Sequence, residues 1–293
     1  MVTFRERTVR IGKAIWITRS RKGDKHVATT CPVGFNVDQL RQLVRAEYDR
    51  VARQPQGDFH FHRGPRYAAQ MLGYDAQELA LIPEESTASF AGVGNPHRIG
   101  PIAPGEAILD VGCGAGMDLL LAARRTGSAG HVIGVDMTPA MIERAKRAAL
   151  KAGLWENVEI RRGMAEELPV DSDSIDVVIS NGVLNLTPNK TAAVAEWERV
   201  LKPGGRLICV QPNFRLEPRR YFDDYTHIQI FTDASLYDFL EAYGFTVKDS
   251  LPKFMPVNMK STLRLNLPAL PLIVRLYLTM PFKPFAGQLL MVA

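Results

Sequence analysis

Residues 108–116 read ILDVGCGAG, an apolar run that ends in an acid and continues into alternating glycines. A strand that leads through a glycine-rich turn into a helix is typical of α/β folds that bind nucleotides. The glycines are Gly112, Gly114 and Gly116, a G-x-G-x-G spacing, whereas dinucleotide sites have G-x-G-x-x-G. Asp110 directs a carboxylate into this turn, which would repel a pyrophosphate and suits a ligand with an ammonium group.

The next predicted strand also ends in an acid. Asp136 closes the run GVD, 24 positions after Gly112 (136 − 112). A carboxylate at this place can accept hydrogen bonds from both hydroxyls of a ribose. S-adenosylmethionine carries an ammonium group, a sulfonium and a ribose, so the two acids predict it as the cofactor. A glycine turn with a structural role alone would leave both acids unexplained.

Between residues 103 and 212, short β-branched runs alternate with longer helical stretches. This alternation is typical of βαβ units and predicts an α/β fold with a parallel sheet. Helix stop signals agree with it, since Gly153 ends one predicted helix and a Pro-Gly-Gly run ends the next. The predicted strands are Ala107–Val111, His131–Asp136, Val158–Arg161, Asp176–Ser180 and Arg206–Val210. One predicted helix starts at Thr138, and another spans Lys190–Leu201.

Composition and charge narrow the classes of function. Of 293 residues, 46% are apolar and 23% charged, which is ordinary for a globular protein. The net charge of +5 comes from residues 1–25, which hold eight basic residues against two acids. This segment is a poorly ordered basic arm or an over-extended translation start, so we expect no nucleic-acid partner. The three cysteines lack disulfide or metal spacing, and no secretory or membrane-spanning run is visible, which favours the cytoplasm.

The region from about Ser89 to Val210 resembles the class I S-adenosylmethionine-dependent methyltransferases, and within them the arsenite methyltransferase-like group. The resemblance rests on GVDMT (134–138), ELPV (167–170), DVVISNGVLNL (176–186) and RVLKPGGRL (199–207). It implies a Rossmann-like, seven-stranded sheet and methyl transfer from S-adenosylmethionine. By the same resemblance, the residues that bind the cofactor are Asp110, Gly112, Gly114, Gly116, Asp136, Met137, Ala165, Glu166 and Asn181.

Charge, helix patterns and the resemblance together divide the chain into three parts. Residues 1–35 form the basic arm, 36–102 a helical cover with a glycine loop, and 103–293 the methyltransferase domain. In the cover, Asn36 caps an amphipathic helix, and Asp75 with Glu78 predicts a capping box for a second, short helix. Near the other end we expect a helix over Thr232–Tyr243, a strand over Phe245–Leu251 and a last strand over Gln288–Val292.

The group's arsenic-binding cysteines are missing at two expected positions, where this chain has Val93 and Gly182. Cys31, Cys113 and Cys209 do not replace them, and a soft metalloid requires convergent thiolates. We therefore expect methylation of an organic small molecule, at an oxygen or a carbon. Arsenite methylation with atypical ligands and a non-catalytic S-adenosylmethionine-binding module remain the alternatives.

Methyl transfer is an in-line displacement, which needs alignment and, for many acceptors, a general base. His227 with Asp224 three residues earlier is the first candidate, because a carboxylate raises the basicity of an imidazole; a local backbone cap is the alternative. His97 is the second candidate. Tyr67 or Tyr74 could pack over the cofactor, and we expect no metal site.

The connection 252–287 is too long for a hairpin and is rich in proline and aliphatic residues. Basic residues are interleaved in it without a single acid. We expect a hydrophobic lid over the acceptor pocket, with a peripheral contact to anionic lipid head groups. The alternative is a pair of short helices that only cover one end of the sheet.

Overall fold

The computed structural model describes residues 36–59, 61–98, 100–216, 218, 229–251, 270–279 and 288–292. Cys31, Asp224, His227 and most of the predicted lid lie outside them. Helices α1 (Val37–Arg53), α2 (Gly64–Met71), α3 (Ala76–Ala80) and α4 (Glu84–Thr87) precede the sheet, and α5 (Met117–Thr126), α6 (Pro139–Lys151), α7 (Lys190–Val200), α8 (Asp233–Ala242) and α9 (Leu270–Thr279) follow its first strand.

A seven-stranded sheet has the order β3-β2-β1-β4-β5-β7-β6. Neighbours among β1 to β5 are parallel, and β7 is antiparallel to both β5 and β6. The predicted Rossmann-like α/β class is confirmed. The strands are β1 (Ala107–Val111), β2 (His131–Asp136), β3 (Val158–Arg162), β4 (Ile175–Asn181), β5 (Leu201–Pro212), β6 (Asp249–Leu251) and β7 (Gln288–Val292).

Apolar side chains cover both faces of the sheet. Leu119 of α5 and Ala145 of α6 pack on one face, and Trp197 of α7 and Leu236 of α8 on the other. The chain order reverses between β1 and β4, which lie side by side in the sheet. In open α/β sheets this switch point leaves a crevice at the carboxyl ends of the strands, where ligands bind.

The N-terminal cover is helical as expected. Asn36 accepts hydrogen bonds from the backbone N–H groups of Asp38 and Gln39, which confirms it as the N-cap of α1. Asp75 caps α3 in the same way. The predicted capping box is incomplete, because the Glu78 carboxylate accepts a hydrogen bond from Arg125 at 2.8 Å instead of turning back to the cap.

Two strand boundaries differ from the sequence prediction. β6 starts at Asp249, which pairs with Val292, the last residue of β7, so the strand is shorter than the predicted Phe245–Leu251. β5 starts earlier than predicted, at Leu201, which pairs with Ile175. The register shifts before the next pair, so the Pro-Gly-Gly run forms an irregularity within the strand.

Helix α9 is the described part of the predicted lid. It packs against α2, with Val274 and Tyr277 buried, while Leu272 and Leu276 are more than half exposed. No described residue of α9 lines the cavity at the strand ends. No helix among the described residues has the length and apolar character to cross a membrane. The lid and its lipid contact therefore stay predictions.

Candidate cofactor site

The glycine turn after β1 is built against the end of β2. The N–H groups of Gly112 and Cys113 donate to the carbonyl of Val135 at 2.7 and 3.1 Å. Gly112 and Gly114 both have positive φ, at +69° and +54°, which glycine adopts without the strain a side chain would add. At these two positions the turn therefore presents backbone to the cavity above it.

Asp136, at the end of β2, holds this turn in place. Its Oδ2 accepts the N–H of Gly114 at 2.9 Å and its Oδ1 accepts the N–H of Thr138 at 2.7 Å. Burial raises the pKa of Asp136 above its ordinary value, although these N–H donors act in the opposite direction. A carboxylate has lone pairs left after two such bonds, so Asp136 can still accept ribose hydroxyls.

Asp110, at the end of β1, is in a different condition. It is 3% exposed, and its Oδ2 has no hydrogen-bond partner. Burial raises the pKa of Asp110 well above its ordinary range, and the negative charges of Asp118 and Asp136 raise it further. A cationic ligand group would satisfy the free oxygen and relieve the repulsion among the three acids.

Asp118 is an acid that the sequence analysis missed. It lies in the first turn of α5, is 5% exposed, and accepts hydrogen bonds from Tyr74 Oη at 2.7 Å and Asn181 Nδ2 at 2.9 Å. Burial, and next the charge of Asp118, raise the pKa of Tyr74. An acid in the first turn after a glycine motif complements the helix dipole, which is the signal that could have identified Asp118.

Asn181, at the end of β4, fixes the glycine loop of residues 89–96. Its Oδ1 accepts the N–H groups of Val93 and Gly94 at 2.9 and 3.1 Å, and its Nδ2 donates to the carbonyl of Gly94 at 2.9 Å. The amide is thus fully engaged by protein atoms. It lines the cavity, and its main contribution is to position the loop.

The cavity lies at the carboxyl ends of β1, β2 and β4 and encloses about 1090 Å³ out to its open mouth. Gly116 does not line it: its φ is +88°, and a Cβ there would lie 3.3 Å from Ala145 in α6, so this glycine serves helix packing. The other predicted cofactor residues line it together, namely Asp110, Gly112, Gly114, Asp136, Met137, Ala165, Glu166 and Asn181.

Two cations support the cavity wall. Arg41 of α1 donates to Glu166 Oε1 at 3.1 Å, which closes the cover over one end of the cavity. Lys190 is buried and donates to the carbonyls of Asn185 and Thr187 at 3.1 and 2.8 Å, which shapes the loop after β4. Burial lowers the pKa of Lys190 to about 8.

The predicted bases are not assembled at the cavity. His97 is buried behind Asp118, with Nε2 3.2 Å from Asp118 Oδ1, and does not line the cavity. Its position therefore does not support a role in proton transfer. Tyr74 lies beside it and does not line the cavity either. His227 and Asp224 lie outside the described residues. Among the described residues, no cluster of histidine, cysteine or acidic side chains could hold a metal ion.

Comparisons with known proteins agree with this geometry. A family model described as a methyltransferase domain matches residues 102–243. An arsenite methyltransferase of Halobacterium salinarum is 48% identical over 183 residues, which cover 58% of this chain and 46% of the relative. A demethylmenaquinone methyltransferase of Lactococcus lactis is 40% identical over 107 residues, 36% of this chain and 42% of the relative. The chain thus spans less than half the length of these relatives.

A solved structure gives the same fold. An arsenic(III) S-adenosylmethionine methyltransferase from Chlamydomonas reinhardtii aligns with a TM-score of 0.53 at 26% identity, over 74% of this chain and 71% of that one. Sheet order, glycine turn and strand-end acids define an α/β domain of the class I, S-adenosylmethionine-binding type. The domain over residues 102–243 belongs to the methyltransferases, and its cofactor is S-adenosylmethionine.

Proposed function

We propose that the protein transfers a methyl group from S-adenosylmethionine to an organic small molecule, at an oxygen or a carbon. The observation that carries the choice of acceptor is the contact between Val93 and Gly182. A Cβ added at Gly182 would lie 3.1 Å from Cγ1 of Val93, so the two positions face each other beside the cavity. They are the positions at which the resemblance implies arsenic-binding thiolates, and here they offer no soft ligand.

The described cysteines do not supply thiolates elsewhere. Cys113 lines the cavity, but burial raises the pKa of its thiol well above the ordinary value, and the charges of Asp136 and Asp110 raise it further. Cys209 is fully buried in β5, which raises its pKa to about 12. Neutral thiols are poor metalloid ligands and poor nucleophiles. This supports an organic acceptor.

Different residues would bind the cofactor, exclude water and remove a proton during methyl transfer. The bound cofactor supplies a methyl group activated by its positive sulfonium. Asp110 would hold the ammonium group and Asp136 the ribose, which fixes the direction in which an acceptor must approach. Phe90, Val183 and Leu186 line the cavity with apolar surface, which excludes water from the reacting atoms. His227, paired with Asp224, remains our candidate base for acceptors that must lose a proton.

Labelled S-adenosylmethionine with a panel of phenols, quinols and acidic carbon compounds tests the proposal. We expect methylated product from at least one compound, and at least about tenfold less with Asp136→Ala at a cofactor concentration below saturation. Arsenite with glutathione should give no methylated arsenic above a reaction without enzyme. Cofactor binding without turnover of any acceptor would favour the non-catalytic binding module.

Arsenite methylation is the second candidate, because the relative from Halobacterium salinarum bears that name at 48% identity. It would require a thiolate from Cys31, which lies outside the described residues. Arsenite turnover in the wild type that disappears in Cys31→Ser would contradict the organic-acceptor proposal. Loss of turnover in Cys209→Ser alone would indicate a damaged core, since Cys209 is fully buried in β5.

A further inference from the structure

A second cavity adjoins the cofactor cavity. It is a groove between α1 and the end of β3, and it encloses about 1120 Å³ out to its open mouth. Arg41, Met137, Gly163 and Met164 line both cavities, so the two share one wall. The groove is therefore a separate space beside the cofactor cavity, with further lining residues of its own.

Three arginines line this groove, and we call it the arginine groove. Arg41 and Arg45 are four residues apart on α1, which places them on one side of the helix, and Arg162 ends β3. Among the described residues that line the groove, Glu167 is the one acid. The lining thus carries an excess of positive charge, which is unfavourable without a nearby anion.

Two of these arginines have no side-chain partner within the described part of the chain. The guanidinium groups of Arg45 and Arg162 are exposed and form no ion pair or hydrogen bond with a described residue. The acids of α1 are paired with other arginines, in the ion pairs Asp38–Arg41, Glu47–Arg50 and Asp49–Arg53. Both guanidinium groups are therefore free to bind a ligand.

Arg41 supplies an independent observation. Its Nη2 donates to Glu166 Oε1 at 3.1 Å, but its Nε is buried and has no hydrogen-bond partner. A buried N–H of a charged group is costly to leave unpaired. An oxyanion bound in the groove would bring acceptor oxygens to this guanidinium, whose N–H groups form a fork that matches phosphate and carboxylate.

The lining also indicates which anion fits. A carboxylate carries one negative charge, which Glu167 already supplies, whereas a phosphate monoester carries about two at neutral pH and has three acceptor oxygens. Met137, Met164 and Leu168 add apolar surface to the same groove. An organic phosphate combines the two kinds of group that this lining can bind.

We propose that the arginine groove binds a soluble organic phosphate, with its phosphate on Arg45 and Arg162 and its organic body against Met137 and Met164. The ligand takes the groove and not the glycine turn, because the three acids of the cofactor cavity repel a phosphate. The inference goes beyond the proposed function and does not depend on it.

Calorimetric titration with inorganic pyrophosphate at constant ionic strength tests the phosphate half of the proposal. It is carried out without and with saturating S-adenosylhomocysteine, which occupies the cofactor cavity. Arg45→Gln and Arg162→Gln should each weaken binding roughly fivefold or more, because each removes charge-assisted hydrogen bonds. Added salt should weaken binding by the wild type, since both side chains are exposed.

Phenyl phosphate tests the organic half of the proposal. It should bind several-fold more tightly than inorganic phosphate, because its ring would bury apolar surface on the two methionines. Equal affinity for phenyl phosphate and inorganic phosphate would contradict the organic body.

Arg124→Gln is the matched control. Arg124 is an exposed arginine of α5 that has no described side-chain partner and does not line the groove. Its replacement removes the same charge, so the affinity for pyrophosphate should change less than about twofold. Thermal unfolding should show all three variants folded, because none of the three side chains bonds to a described residue.

The other outcomes each overturn the site. Absence of pyrophosphate binding by the wild type would do so, and so would an equal affinity of all three variants, which would show attraction to net charge alone. Displacement by S-adenosylhomocysteine, with unchanged affinity in Arg45→Gln and Arg162→Gln, would place the anion in the cofactor cavity. Binding to phosphatidylglycerol vesicles that requires Arg45, without binding of soluble phosphates, would indicate a lipid head group instead.

Discussion

The ends of β1 and β2 carry the same type of side chain in opposite states. At the end of β2, both oxygens of Asp136 accept backbone N–H groups, from Gly114 and Thr138. At the end of β1, Asp110 is buried at 3% exposure and one of its oxygens has no partner. Burial raises the pKa of both carboxyls, and that of Asp110 is also raised by neighbouring charges.

This difference separates a residue that holds the glycine turn from one that keeps an oxygen free for the ligand that we propose. Without Asp136, the glycine turn loses the acceptor that orients Gly114. Burying the Asp110 carboxylate costs free energy that its contacts within the protein do not offset. Its free oxygen is therefore best explained by a bound cation. Buried acids of this kind destabilise the protein without ligand and are stabilised when the ligand binds.

The largest expected effect comes from replacing each acid by its amide. Asp110→Asn and Asp136→Asn should each weaken binding of S-adenosylmethionine at least about tenfold, since each removes a charge-assisted hydrogen bond worth roughly 1.5–3 kcal/mol. Asp110→Asn should be the more stable of the two without ligand, by about 1–3 kcal/mol, because the new amide at position 136 would point N–H groups at an N–H donor. Calorimetry and urea unfolding measure the two quantities.

Equal losses of stability in Asp110→Asn and Asp136→Asn would contradict the difference between the two strand ends. Asp249→Asn, at the exposed start of β6, is the control for replacing an acid far from the cavity. It should change neither the affinity nor the free energy of unfolding beyond about 0.5 kcal/mol.

The next effect is a dependence of stability and cofactor affinity on pH, caused by Asp110 at the end of β1. Between the ordinary pKa of a carboxyl, about 4, and the raised pKa of Asp110, the unfolded chain loses the proton while the folded protein keeps it. Rising pH therefore lowers the stability of the protein without ligand over this window. A bound ammonium group favours the ionised carboxyl, so affinity should rise with pH over the same window and binding should release a proton.

Titration of S-adenosylhomocysteine at several pH values, in buffers of different ionisation enthalpy, measures this proton release. Asp110→Asn should flatten both pH profiles. An unchanged profile in this variant would contradict the assignment to Asp110 and point to Asp136, whose pKa is also raised by burial.

The sequence predicted the features that local pattern controls. A strand followed by an acid and glycines is visible along the chain, so Asp110, Asp136 and the parallel strands were predicted and the fold was confirmed. Asn181 was predicted at a strand end, but not its role, because its partners Val93 and Gly94 lie far away in the sequence. The role of Asp118 was missed for the same reason, because its partners Tyr74 and Asn181 also lie far away in the sequence.

The cover shows the same limit more strongly. Ser86 and Ser89 carry no pattern that separates them from ordinary loop residues, and only folding places them in the cavity wall. His97 was proposed as a base because it follows the glycine loop, yet the loop directs it toward Asp118, away from the cavity. Proximity along the chain does not fix the direction of a side chain.

The smallest effect concerns two glycines of the same turn. Both Gly114 and Gly116 have positive φ, so alanine at either should cost about 1–2 kcal/mol of stability. Their surroundings differ: a Cβ at Gly114 would meet nothing closer than Met141 Sδ at 4.0 Å and would enter the cavity, whereas one at Gly116 would meet Ala145 at 3.3 Å. Gly114→Ala should therefore weaken binding of S-adenosylhomocysteine several-fold, a loss of roughly 1 kcal/mol of binding free energy, because the added methyl group crowds the ligand. Gly116→Ala should leave the affinity within about twofold and lose more stability than Gly114→Ala. If Gly116→Ala weakened binding more than Gly114→Ala, the third glycine would be a cofactor contact after all, as the sequence pattern predicts.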